Sequence, residues 1–172
     1  MNDTVRVLIL LAEAFRYPSP GHLETLEEGL RFLSTGKEKE LIDSFVSQIR
    51  QISLGAWEEL HTRTLDLNPP AAPYVGFQTW GESYQRGEFL SKMNGALVQA
   101  KIETDGELPD HLIPVFRYLA LSHDPLPELV EVLEPAFRRM EGALRNVDAN
   151  NPYLYLMEAA QASVKWLKKE PV

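Results

Sequence analysis

The sequence predicts an all-helical bundle of seven or eight helices. Three observations predict it. Apolar residues recur at three- and four-residue steps along most of the chain, no segment sustains the two-residue alternation of a half-buried strand, and no internal repeat or low-complexity segment interrupts the pattern.

Val5, Leu8, Leu11, Ala12 and Phe15 define the first helix, which Tyr17-Pro18 stops because proline drives the residue before it out of helical geometry. Leu23, Leu26, Leu30 and Leu33 define a second, entered near Pro20 and ended around Gly36. Leu41, Ile42, Phe45, Val46 and Ile49 give a third, and Ser53 is placed to cap a fourth through Trp57, Leu60 and Leu65. The pattern then breaks at residues 66–73, where Pro69, Pro70 and Pro73 predict an extended connector.

Beyond the connector, Tyr74, Phe77, Trp80 and Tyr84 follow at helical spacing and predict a short aromatic-faced helix, weakened by Gly76 and Gly81. Phe89, Leu90, Met93 and Leu97 continue as a firmer one, and Leu112, Val115, Phe116 and Leu119 make another. Pro125 is placed to open a long helix reaching Val147, with Pro135 inside it as a potential kink or break. Asn151-Pro152 starts the last, with Leu156, Met157, Ala160, Val164 and Leu167 inward.

Composition narrows the function. At 172 residues, with 44% hydrophobic and 24% charged, the chain reads as one soluble domain over 1–172 that can bury a core without a metal or disulfide. It has no cysteine, which excludes a cysteine nucleophile, thiolate zinc and cysteine-held iron–sulfur clusters. A formal charge of −8 disfavours nucleic acid. The basic cluster Lys165, Lys168 and Lys169 is expected to complement a helix C-terminus. The N-terminal apolar run Val7–Ala12 is too short to span a membrane and lacks signal-peptide flanks, so the expected location is the cytoplasm.

Three constellations could carry chemistry. Glu58-Glu59-Leu60-His61 contains the Glu-x-x-His spacing of carboxylate-bridged metal bundles, the basis of an alternative reading as a metal-dependent helical-bundle enzyme. It occurs once, which favours a surface or hydrogen-bonded His61. Glu107-Leu108-Pro109-Asp110-His111-Leu112 is a competent helix start, with Pro109 in the first position and Asp110 in the first turn. It also gathers two carboxylates and a titratable imidazole that could receive a basic ligand. The aromatic set Tyr74, Phe77, Trp80 and Tyr84, with Trp57, is core or a set of peptide-binding anchors. No nucleophile elbow, zinc-protease, phosphate-loop or dinucleotide motif is present.

In chain order these landmarks resemble the NarJ (nitrate reductase delta subunit) branch of the TorD/NarJ superfamily, cytoplasmic chaperones that assemble molybdenum-containing respiratory reductases. The resemblance runs through Phe15-Arg16-Tyr17-Pro18, Leu65-Asp66-Leu67-Asn68-Pro69, Gly81, Arg86-Gly87-Glu88-Phe89-Leu90 and Glu107–Leu112, and departs from the family at Leu65, where an aromatic residue is common. It implies a non-enzymatic chaperone, monomeric or homodimeric. Such a protein binds the N-terminal or signal peptide of a reductase catalytic subunit before membrane attachment or export. The molybdenum cofactor and iron–sulfur clusters belong to that client. It assigns Glu107, Pro109, Asp110 and His111, connector residues Asp66 and Pro69, and Arg86 and Gly87 to the client site, to which the aromatic reading adds Tyr74 and Trp80. The expected geometry is an apolar groove in which Glu107 and Asp110 meet basic client residues and His111 confers pH dependence near neutrality. A permanent accessory subunit of a reductase complex is the other alternative.

Overall fold

The computed structural model describes residues 1–168 and is all-helical, as the periodicity predicts. Among the described residues there are nine α-helices: α1 Asp3–Ala14, α2 His22–Arg31, α3 Lys37–Ile49, α4 Leu54–His61, α5 Val75–Trp80, α6 Tyr84–Gln99, α7 Leu112–Leu121, α8 Pro127–Val147 and α9 Tyr153–Val164. Lys169 of the basic cluster lies outside the described residues.

Helix α9 is the axis of the packing, touching α1, α3 and α8, while α1 lies along α7 and α8 reaches α5. The buried apolar side chains form one contiguous core from Val7 to Val164, with Phe15, Phe45, Phe116, Phe137 and Tyr153 among its largest members. Helix starts follow from their caps: Asn2 and Ser53 accept from the N–H groups of Val5 and Ala56, and Asn151 accepts from Tyr153 N–H.

The boundaries differ from expectation in several places. Helix α2 closes at Phe32 and not near Gly36, although Leu33 just beyond it is still buried. Helix α8 starts at Pro127 because Leu126, preceding a proline, is held at ψ 124°, and Pro127 takes a position whose N–H is not needed. Pro135 does not divide that helix. Leu133, Ala136, Phe137, Met140 and Leu144 bury one face through it, and at ~1.5–3 kcal/mol per large side chain this outweighs a proline cost of ~3 kcal/mol.

The connector is extended only at its end, where Ala72 (ψ 132°) leads into Tyr74 in β geometry. The chain leaves α4 through a π-helical turn at Thr62–Asp66 and passes through a 3₁₀ turn at Pro69–Ala71, which accepts prolines at its first positions. Helix α7 begins at Leu112, so Pro109 and Asp110 form the turn before it and not its first positions. The aromatic face is divided too. Tyr74 precedes α5, Gly81 ends that helix at φ +63°, and Tyr84 opens α6 in solvent.

Candidate functional site

The connector and the acidic-Pro-Asp-His segment meet at a two-residue antiparallel bridge. Val75 N–H donates to the Asp110 carbonyl (2.9 Å) and Leu112 N–H donates to the Pro73 carbonyl (3.0 Å), which pairs Tyr74 with His111. Segments more than thirty residues apart are thereby held in register.

Asp110 sits beneath this bridge. Its side chain is fully buried and receives both Nε (3.0 Å) and Nη2 (3.2 Å) of Arg86 from α6, a bidentate ion pair. The guanidinium also stands over the rings of Tyr74 and Phe77, 5.5 Å from each centroid, which offsets part of its lost hydration. Gly76 makes the seat possible. A Cβ there would lie 2.6 Å from Asp110 Oδ2 and 3.1 Å from Phe89 Cδ2.

Around that pair the polar groups are mutually satisfied. The Tyr74 hydroxyl donates to Glu107 (2.9 Å), and burial together with that acidic neighbour pushes its pKa up to about 12. His111 caps α7, its Nδ1 accepting from Ile113 N–H (3.1 Å), and its ring packs edge-on against Tyr74. Burial pushes the His111 pKa down to about 4, against the opposing pull of Glu107 and Asp110.

Two expectations are corrected by this geometry. Asp110 does not face solvent to meet a basic ligand, because its carboxylate is buried and taken by Arg86. His111 does not titrate near neutrality, because desolvation holds it neutral well below its ordinary range.

His61 adjoins the same corner, close enough to His111 and Glu107 for their charges to be felt. It is buried, donates from Nε2 to the Phe15 carbonyl (3.1 Å), and packs against the rings of Tyr17 and Tyr153. His22 does the same for the Glu13 carbonyl and stacks on Trp57, so two imidazoles tie down the C-terminal carbonyls of α1. Trp57 belongs to this core, donating to the Tyr153 hydroxyl. Asp66, on the π-helical turn, brings a carboxylate oxygen to 3.9 Å from His61 Nδ1.

The structure therefore brings together Asp66, Tyr74, Arg86, Glu107, Asp110 and His111, with Pro109 in the turn that aims Asp110. The others stand apart. Pro69 is exposed in the 3₁₀ turn, Trp80 packs on Phe89, and Gly87 has open space around it. Phe77 enters from the aromatic set, and Gly76 is the member of the corner that the sequence does not mark as a site residue. The only signal at Gly76 was its cost to a helix, and that cost is what makes room for Asp110. Among the described residues, no three His, Asp or Glu side chains stand where they could hold a metal ion, and the Nε2 of His61 is already used by Phe15.

The helical fold and this polar corner define an all-α protein whose signature residues tie a connector to a helix start. The fold is similar to that of a protein from Archaeoglobus fulgidus, described as a candidate redox enzyme maturation protein, whose crystal structure superposes with a TM-score of 0.67. The match covers 98% of this chain and 96% of that one at 17% identity, so it is a likeness of fold. No family model and no curated protein matches the chain. No helix among the described residues is long and apolar enough to cross a membrane.

Proposed function

We propose that the chain is a redox enzyme maturation chaperone of the TorD/NarJ type, on the NarJ branch. It binds the N-terminal segment of the catalytic subunit of a molybdenum-containing respiratory reductase in the cytoplasm. It holds that subunit until the molybdenum cofactor and iron–sulfur clusters are in place. It is not an enzyme and carries no cofactor of its own. The observation that carries the reading is the fold likeness, end to end on both chains, to a protein described as a candidate maturation factor. The convergence of Asp66, Arg86, Glu107, Asp110 and His111 on one corner supports it, because these are the residues through which the sequence resembles the family.

In this reading the acidic-Pro-Asp-His segment shapes the client site from below. Arg86–Asp110 and Tyr74–Glu107 fix the connector, and the client meets the surface that the fixed connector presents. Affinity purification of the tagged chain from anaerobically grown cells, with mass spectrometry and metal analysis of what co-purifies, tests this. The expected partner is a reductase catalytic subunit lacking its molybdenum cofactor. Recovery solely in the mature, cofactor-loaded complex would instead make the chain a permanent accessory subunit.

A further inference from the structure

The loop between α6 and α7 is pinned by residues that no part of the site above includes. It makes a tight turn at Asp105-Gly106, closed by Glu107 N–H donating to the Thr104 carbonyl (3.0 Å). Both central residues have positive φ, +55° and +82°, as a type I′ turn requires. Glycine takes that conformation without cost, whereas the Cβ of Asp105 crowds the following carbonyl. An aspartate at this position is explained by what its carboxylate meets.

Arg117 reaches back from α7 and grips the turn at two points. Its Nη1 donates to the Glu103 carbonyl (3.1 Å) and its Nη2 to Asp105 Oδ2 (2.9 Å). Arg16, just past the end of α1, brings its Nε to 3.8 Å from the same oxygen. The Arg117 hydrogen bond, with the charge of both guanidiniums, holds the Asp105 carboxyl below the usual carboxylate range against the opposing effect of burial. All three side chains keep solvent contact, so the pairs add little to stability. What they fix is direction. Two residues past Asp105, Glu107 leaves the turn and accepts from the Tyr74 hydroxyl (2.9 Å), a contact that holds the connector.

We propose that Arg117 and Asp105, with Arg16 as a weaker third, are positioning residues that aim Glu107 at Tyr74 and so set where the connector stands. The clamp couples the end of α1 to the connector through the turn before α7. Arginine suits position 117 because a forked guanidinium reaches a carbonyl and a carboxylate at once, which an ammonium point charge does not. That the connector serves a client rests on the chaperone reading; the clamp itself does not.

The test reads Tyr74 and uses no client. Glu107, Asp110 and Asp66 act on its hydroxyl and the Arg86 guanidinium stands over its ring; burial first, and Glu107 next, push its pKa up to about 12. The ¹³Cζ resonance of Tyr74 is followed in the full-length, ¹³C-tyrosine-labelled protein upward from about pH 9, where both clamping arginines stay charged. Glu107→Gln removes the acceptor's charge directly and is expected to bring the Tyr74 pKa down by about one pH unit toward 10. Asp105→Gly keeps the turn's backbone and loses the clamp, so it is expected to lower the Tyr74 pKa by most of that amount while leaving the thermal midpoint in place. Arg117→Met, which retains an apolar stem, and Arg117→Lys, which retains charge without the fork, are expected to lower it as well, and Arg16→Ala by less. On the Glu107→Gln background, Asp105→Gly should move Tyr74 no further. An unmoved Tyr74 in Asp105→Gly, wild-type behaviour of Arg117→Lys, or shifts that add in the double variant would overturn the proposal. Failure to capture a reductase subunit in cells would leave these titrations standing, and a Tyr74 indifferent to the clamp would leave the chaperone reading standing.

Discussion

Asp110 and Asp66 lie at two edges of one corner, and their surroundings are opposite. Asp110 has no exposed side-chain surface, two hydrogen bonds from Arg86 and a glycine opposite it that leaves room for its oxygen. Asp66 is half exposed, 3.9 Å from an imidazole lone pair it cannot bond, on a π-helical turn that puts a register shift into the chain. The difference teaches that the most recognisable motif in the sequence is the more structural of the two, while the less marked position keeps its bonding capacity free.

Removing each carboxylate tests that contrast most strongly. Asp110→Ala strands a guanidinium that is mostly buried, and breaking such a pair from one side costs ~3–5 kcal/mol. Asp66→Ala removes a half-exposed group without a hydrogen bond and should change stability by less than ~0.5 kcal/mol. Urea denaturation of both variants decides it. Comparable losses would show that the two carboxylates are not divided in this way. Adding Arg86→Met to Asp110→Ala should recover part of the loss, since the stranded charge is then gone.

The glycines give the next largest effect. At Gly76 a methyl group would displace Asp110 Oδ2 and press on Phe89, and overpacking of this kind costs ~1–3 kcal/mol even after the helix-propensity gain. Gly87 has nothing within 4 Å of where its Cβ would sit and lies exposed on α6, so Gly87→Ala should stabilise by ~0.5–1 kcal/mol. Opposite signs in thermal denaturation are the expected outcome. A stabilised Gly76→Ala would mean that the Asp110 seat has slack.

What was legible beforehand follows the same division. Helix identity was readable because burial imposes its period on the sequence: α1, α3, α7 and α9 carry their apolar residues where the core needs them. Local chemistry at proline was only half readable. The prolines at 69, 70 and 73 exclude an α-helix but do not choose between an extended strand and the 3₁₀ turn that forms. The corner's membership is partly readable, since Asp66, Arg86 and Glu107–His111 all lie in the segments through which the sequence resembles the family. Its polarity is not, because nothing local to Asp110 says that Arg86, twenty-four residues earlier, will occupy it. The sequence shows the spacing of His61 to Glu58 and not the Phe15 carbonyl that takes its Nε2, so a metal ligand is readable there and a structural imidazole is not.

The smallest expected effect is one of slope. His111 has an ordinary pKa of 6.5 and is held at about 4 in the fold, so between those values the unfolded chain binds the extra proton and the folded chain does not. Stability therefore falls as the pH is lowered from 6.5 toward 4, by up to about 1.4 kcal/mol per pH unit from this group, and His22 and His61, also lowered by burial, act in the same direction. His111→Asn keeps an acceptor for Ile113 N–H while removing the titration, so its denaturation midpoints between pH 7 and 4.5 should decline less steeply than those of the wild type. Asp66→Asn, outside the closed pair, should leave the His111 part of that slope unchanged and lower the His61 pKa further, because Asp66 is one of the charges that raises it. Parallel pH profiles for wild type and His111→Asn would show that His111 is solvated enough to titrate normally, and the closed half of the corner would then be no more closed than the open half.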